Sequence, residues 1–165
     1  MDIFDTREKG QAMTNIRRLL FIALIAACLL FSTACLLSSR VNVKDKPVIE
    51  TFEVQAIDGW TDTGIHIAPG NRVVITYISG TWSPWQGGSY DAIGFGGDPN
   101  CDCNIIAGVS HAALIGRVGQ GQIFIVGRSF DTRMGESGNL FLGINDSRLA
   151  DNSESIKVLV EVETE

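Results

Sequence analysis

The sequence predicts an all-β fold, an antiparallel β-sandwich, behind an N-terminal hydrophobic segment. Three observations predict it. After residue 40 no stretch sustains a helical period. The apolar runs that follow are short, rich in Val, Ile, Phe and Tyr, and bounded by Gly, Asp, Asn and Ser clusters. The last run alternates: Ile156, Val158, Val160 and Val162 fall on one face, Lys157 and Glu161 on the other. That is the pattern of a half-solvated antiparallel strand. Seven or eight such strands over about 115 residues suffice to close a sandwich core.

Taken in order, residues 1–37 stand apart from the rest of the 165-residue chain. Met1 to Gln11 is polar, Arg17-Arg18 is a basic flank, and Leu19 to Leu37 is apolar apart from Ser32 and Thr33. Basic residues before an apolar core make a secretory signal, although the run is also about long enough to span a bilayer as a helix. Two cysteines sit in it behind small residues, Ile25-Ala26-Ala27-Cys28 and Ser32-Thr33-Ala34-Cys35. Both look like the lipobox of bacterial lipoproteins. Cys35 is favoured as the acylated residue because the apolar core before it has the better length; Cys28 is the alternative. Lipoprotein signal, cleaved signal and uncleaved anchor all place the remaining chain outside the cytoplasmic membrane, tethered to a bacterial cell envelope in the first and third cases.

Residues 38–47 are short and mixed in charge and read as a tether. The domain, residues 48–165, then opens. Val54 to Ile57 leads into the turn signal Asp58-Gly59; Thr63 to Ile67 alternates; Ala68-Pro69-Gly70-Asn71 turns into a strand from Arg72 to Ser79. A strand follows His111 at Ala112-Ala113-Leu114, and Ile123 to Val126, Leu140 to Ile144 and Ile156 to Val162 complete the set. From residue 36 onward nine Lys/Arg stand against sixteen Asp/Glu, a net charge of −7. An acidic domain with scattered basic residues lacks the electrostatic footprint of a nucleic-acid binder and does not favour adsorption to anionic lipid.

Residues 80–108 form the irregular part, rich in Gly, with Trp82, Trp85, Tyr90 and Phe95. Trp82 is expected to plug the end of the sandwich. Trp85, flanked by Pro84 and Gln86-Gly87-Gly88, is expected to stand exposed where its ring can stack on a sugar. Cys101-Asp102-Cys103 leaves free thiols, a strained pair and an intermolecular link open, because near neighbours rarely reach the usual Cα separation of about 5.5 Å. Zinc is not expected, since two more ligands are needed and only His66 and His111 are available. A histidine at a strand end, such as His111, is expected at the surface. No nucleophile elbow, zinc-protease helix or phosphate loop is present, so catalysis is not expected.

The stretch from Gly143 to Val162 carries the chemistry. A strand ends in Asn145-Asp146, Ser147 to Ala150 turns back, and Asp151-Asn152-Ser153-Glu154-Ser155 opens the final strand. Asp146, Asp151 and Asn152 thereby gather at the mouth of one hairpin. Short oxygen side chains converging with loop carbonyls suit calcium, which takes about six to eight oxygen ligands; the same residue types also make ordinary turns.

That order resembles the calcium loop of the bacterial PA-I type galactophilic lectins. Gly80-Thr81-Trp82-Ser83, Gly94-Phe95-Gly96-Gly97-Asp98-Pro99 and Ala112-Ala113-Leu114-Ile115-Gly116-Arg117-Val118-Gly119 extend the resemblance upstream, over roughly Val54 to Val162. It implies a galactose-binding-domain-like jelly roll. It also implies calcium held by Asp146, Asp151 and Asn152, with backbone carbonyls from Arg148 or Leu149 and from near Pro84. In the family the ion coordinates two sugar hydroxyls directly. Asp98 and Asn100, in the place of the family's sugar-contacting His-Pro, are then the expected hydroxyl partners, with Trp85 beside them. Three departures stand out: a loop about two residues shorter between Asp146 and Asp151, Glu154 in place of a glycine, and no sugar-contacting histidine.

The expectation is therefore a membrane-tethered, extracytoplasmic carbohydrate-binding module for galactose-like sugars, with self-association through exposed sheet edges. The alternative is a non-sugar-binding structural or assembly module of the envelope. A periplasmic enzyme accessory domain is a third reading.

Overall fold

A computed structural model describes residues 46–164. The 19–37 apolar run, Cys28, Cys35 and the first part of the tether lie outside the described residues. Among the described residues no helix is long and apolar enough to cross a membrane.

Eight strands form two four-stranded antiparallel sheets. They are β1 (Val48–Gln55), β2 (Trp60–Ile67), β3 (Arg72–Ser83), β4 (Leu114–Val118), β5 (Phe124–Ile125), β6 (Ser129–Arg133), β7 (Gly138–Ile144) and β8 (Ser153–Glu163). One sheet has the order β1-β8-β3-β6, the other β2-β7-β4-β5. The antiparallel β-sandwich expected from the sequence is present.

The core lies between the sheets. Ile156, Val158, Val160 and Val162 of β8 are buried, as their alternation requires. They meet Val54 of β1, Val73 and Ile75 of β3, and Leu140, Leu142 and Ile144 of β7. A one-residue bulge interrupts β3. Tyr77 pairs with Val158 and Ser79 with Lys157, so Ile78 is the extra residue, left 48% exposed. Because side-chain direction has a period of two, the bulge switches the inward positions from odd to even numbers. Val73 and Ile75 point inward before it and Trp82 after it. Gly80 follows the bulge where a Cβ would stand 2.7 Å from the Ser155 carbonyl oxygen, so only glycine lets β3 and β8 close together there.

The structure corrects several expected boundaries. Residues 80–83 continue β3 rather than opening the irregular region. The strand expected at 123–126 shrinks to Phe124–Ile125. Strand β6 was not expected at all, because Ser129-Phe130-Asp131-Thr132-Arg133 offers one large apolar residue among polar ones. It is an edge strand, so most of its side chains face water and need no apolar alternation. Phe130 reaches inward and stacks on Phe124 with centroids 4.5 Å apart.

Ion pairs hold this edge. Arg72 of β3 donates to both carboxylate oxygens of Asp131, at 2.8 and 2.6 Å, and reaches Glu163 at 3.3 Å. The Arg72 hydrogen bond holds the Asp131 carboxyl below the usual carboxylate range. Below about pH 3.9, the ordinary aspartate value, the unfolded chain takes up a proton that folded Asp131 still refuses. Stability from this pair is therefore present above that pH and lost as pH falls through the depressed native value. Thermal unfolding followed from pH 7 to pH 2 should show the midpoint dropping below about pH 4, with a shallower drop in Asp131→Asn.

Candidate functional site

At one end of the sandwich, the loop from Asn145 to Asn152 meets the long segment between β3 and β4. Asn145 joins them. It is fully buried at the end of β7. Its side-chain oxygen accepts the Ile106 N–H at 2.8 Å, and its amide nitrogen donates to the carbonyls of Ile106, Val109 and Ser110. Its backbone exchanges hydrogen bonds with the strand entry, donating to Ala113 at 2.8 Å and accepting from Ala112 at 3.2 Å. A second clamp lies one turn further on, where the Ser147 N–H and hydroxyl both donate to the Cys103 carbonyl, at 2.7 and 2.9 Å. Gly94 lets the segment double back: a Cβ there would stand 2.3 Å from the His111 carbonyl oxygen.

These clamps form a cavity of about 200 Å³. Asp146, Arg148 and Asp151 line it from the 145–152 loop, which is not the expected hairpin but a crossing from β7 in one sheet to β8 in the other; Pro84, Trp85, Asp98, Cys103 and His111 line it from the facing segment. Asp146 is 2% exposed. Its Oδ1 accepts the Arg148 N–H at 2.8 Å, an Asx turn, and its Oδ2 faces His111 Nε2 at 3.8 Å. Asp151 ends a short 3-10 turn, Leu149–Asp151, and is exposed. Asn152 is 5% exposed; its amide donates to the Ala56 carbonyl at 3.2 Å, and its Oδ1 is buried with no hydrogen-bond partner. An orphaned buried oxygen costs about 1–3 kcal/mol, and a cation beside Asp146 and Asp151 would satisfy it. The donor set of two carboxylates and an amide oxygen is that of a hard cation.

The fold thus brings Asp146, Asp151, Pro84, Trp85 and Asp98 to one cavity. Asn152 adjoins Asp151 without lining the wall. Two expected residues are elsewhere. Asn100 is exposed and outside the cavity. The Leu149 carbonyl accepts the Asn152 N–H at 3.1 Å within the 3-10 turn, and its side chain packs toward Gly59 and the core. Of the two carbonyl donors expected from this loop, Arg148 belongs to the residue that lines the cavity. Glu154, at the family's glycine position, takes a left-handed φ of 66°.

Two surface expectations are corrected. Trp85 is half-buried, not free: Tyr90 and Phe95 pack its edges at centroid distances of 5.3 Å, and His111 stacks on it at 5.7 Å. Phe95 is the ring that stays 44% exposed. His111 is 6% exposed, because the segment before β4 folds over the cavity rather than away from it. Trp82, by contrast, is the expected plug, fully buried, its indole N–H donating to the Ala112 carbonyl at 2.9 Å. Cys101 and Cys103 form a disulfide. Arg148 crosses the cavity rim to pair with Asp102 at 2.6 Å.

Asn145, Cys103 and His111 were not singled out as site residues by the sequence. The adjacent Asn-Asp gave the one available signal, since two polar residues closing a buried strand need partners. A larger depression of about 640 Å³ lies on the β5–β6 flank, walled by Phe124, Ile125, Phe130 and Met134. It is mainly apolar and gathers no comparable ligand set.

Among solved structures, the chain is similar to one described as "EclA N-terminal domain; PllA-like lectin", at 21% identity and a TM-score of 0.49, covering 70% of this chain and 95% of that chain. No protein-family model and no curated protein matches the chain. Likeness at this level carries no function across.

Asn145→Leu removes one acceptor and three donations from a buried position. It should lower unfolding stability by about 1–3 kcal/mol, the cost of leaving the Ile106 N–H without its partner. Chemical denaturation of the variant beside the parent checks this.

Proposed function

We propose that the chain is a calcium-dependent carbohydrate-binding module. The observation that carries this reading is the cavity lined by Asp146 and Asp151, followed in sequence by Asn152, whose Oδ1 is buried with no hydrogen-bond partner. Asp146 Oδ2, the Asp151 carboxylate and Asn152 Oδ1 would hold the ion, with carbonyls of Pro84 and Arg148 within reach of the cavity. Calcium accepts irregular oxygen shells and exchanges water readily, so two neighbouring sugar hydroxyls would complete its coordination. Asp98, on the facing wall, would accept a hydrogen bond from a hydroxyl. Trp85 would offer an apolar wall, although His111 stacked on one of its faces narrows what it can present. A galactose-like sugar is the ligand class that the sequence resemblance favours.

The N-terminal apolar run and its cysteines support display outside the cytoplasmic membrane, tethered through acylated Cys35 or an uncleaved anchor. Several weak sites on one membrane surface would then act together by multivalency.

One observation favours a second reading, a structural module without sugar binding. The Asp146 Asx turn and the Arg148–Asp102 pair already hold the loop with protein groups alone. Calorimetry on the full chain in detergent separates the two. Calcium should bind saturably, and the double variant Asp146→Ala/Asp151→Ala should lose that heat. Glycan-array binding should appear with calcium and vanish on chelation. A folded protein that gives no heat at about millimolar calcium, the weak end of extracellular calcium sites, would favour the structural module.

A further inference from the structure

Cys103, His111 and Asp146 form a second cluster at the inner wall of the cavity. All three are buried, and one ligating atom from each lies within 4.8 Å of the others. On spacing alone, the Cys-x-Cys pair lacked two further ligands. The fold supplies His111 and Asp146 beside Cys103, and leaves His66 elsewhere, against Ser137.

The hydrogen bonds fix the histidine tautomer. The Asn104 amide nitrogen donates to the carbonyls of Asp98, Pro99 and Val109, at 3.0, 3.2 and 3.4 Å. Its oxygen must then be the atom facing His111 Nδ1 at 2.9 Å. An amide oxygen only accepts, so Nδ1 carries a proton and Nε2, facing Asp146 Oδ2, is the nitrogen left to ligate a metal. The 3.8 Å between these two atoms is too long for a hydrogen bond. It is close to the spacing of about 3.3 Å between two ligands of a tetrahedral metal with bonds of about 2.0 Å. A metal-binding histidine commonly has its other nitrogen held in this way by an oxygen acceptor. The Cys103 sulfur lies 3.4 Å from Nδ1, so it must turn toward Nε2 to share a cation with it, and in the disulfide it cannot act as a thiolate.

We propose that reducing the Cys101–Cys103 disulfide opens a site for a zinc-class divalent cation. Its ligands are Cys103 Sγ, His111 Nε2 and Asp146 Oδ2, with the fourth position left to solvent. A dithiol reductant supplies two electrons and two protons to the S–S bond and is itself oxidised to a disulfide; Cys101 and Cys103 become thiols. On metal binding, Cys103 releases its proton to solvent and donates a sulfur lone pair to the cation. Thiolate with imidazole selects a softer cation than the oxygen set on the other side of Asp146. Where the calcium reading holds, on which this consequence rests, the redox state of one disulfide decides which cation Asp146 serves.

Cobalt(II) absorption on the full chain tests the site, with cobalt as the probe for zinc. Protein reduced with a phosphine that is then removed should bind one cobalt per chain and show thiolate-to-metal charge-transfer and tetrahedral visible bands. Oxidised protein should show neither. Cys101→Ser leaves Cys103 free without any reductant and should show the bands in both conditions. Cys103→Ser, which retains Cys28 and Cys35, should show none, and His111→Ala should bind at least about 10-fold more weakly. Absence of the bands in both reduced parent and Cys101→Ser overturns the proposal, as does their survival at full affinity in His111→Ala. If Cys101→Ser does not fold, the reduced parent decides alone. Calcium binding by the oxidised protein is read separately by calorimetry, so failure of the calcium site and failure of this one are distinguishable.

Discussion

The cavity end of this sandwich depends on one buried side chain, Asn145. Its amide closes hydrogen bonds to Ile106, Val109 and Ser110 at the point where β7 runs out of strand partners. Without it, the Ile106 N–H would lose its partner and the Ile106, Val109 and Ser110 carbonyls would each lose one of two donors, and such groups are rarely left unpaired. With it, that irregular segment is pinned against the loop that crosses from β7 to β8. Asp146 follows next in sequence and can therefore be buried opposite His111 without being carried away by loop motion. A carboxylate at 2% exposure is expensive to keep unless paired or coordinated, which is why its surroundings repay chemical reading.

The core prepares this end of the fold by a different device. A single extra residue at Ile78 turns the inward face of β3 over and delivers Trp82 to the sandwich mouth. The indole fills the space beneath the cavity and ties its N–H to Ala112, the residue after His111. Ala112 itself takes a left-handed φ of 62°, a conformation disfavoured for alanine by about 1–2 kcal/mol. The strain sits where the 84–113 segment must turn into β4, and the Trp82 and Asn145 contacts hold the turn in place.

The strands with a buried face were legible in the sequence because alternation records burial directly: Ile156 to Val162 and Leu140 to Ile144 read correctly. Strand β6 was not, since an edge strand such as Ser129–Arg133 has little core to record. The bulge at Ile78 hid the second half of β3 by breaking the alternation on which the reading relied. At the site, Asp146, Asp151, Pro84 and Asp98 were legible because they are close in sequence to turn signals or to motifs of a recognisable order. His111 and Cys103 were not. Their meaning comes from a contact between segments that only tertiary hydrogen bonds create. Asn100 and Leu149 lie outside the cavity lining for a local reason, as one is exposed on the loop and the other accepts the Asn152 N–H within the 3-10 turn.

The central claim is that the cavity beside Asp146 holds a cation. Crystals of the oxidised protein grown in calcium, measured at a wavelength where calcium scatters anomalously, test it most directly. The account predicts one anomalous peak per chain, in contact with oxygens of Asp146, Asp151 and Asn152 and distinct from the peaks of the sulfurs. A map with sulfur peaks alone, or a calcium peak away from these three residues, would contradict it.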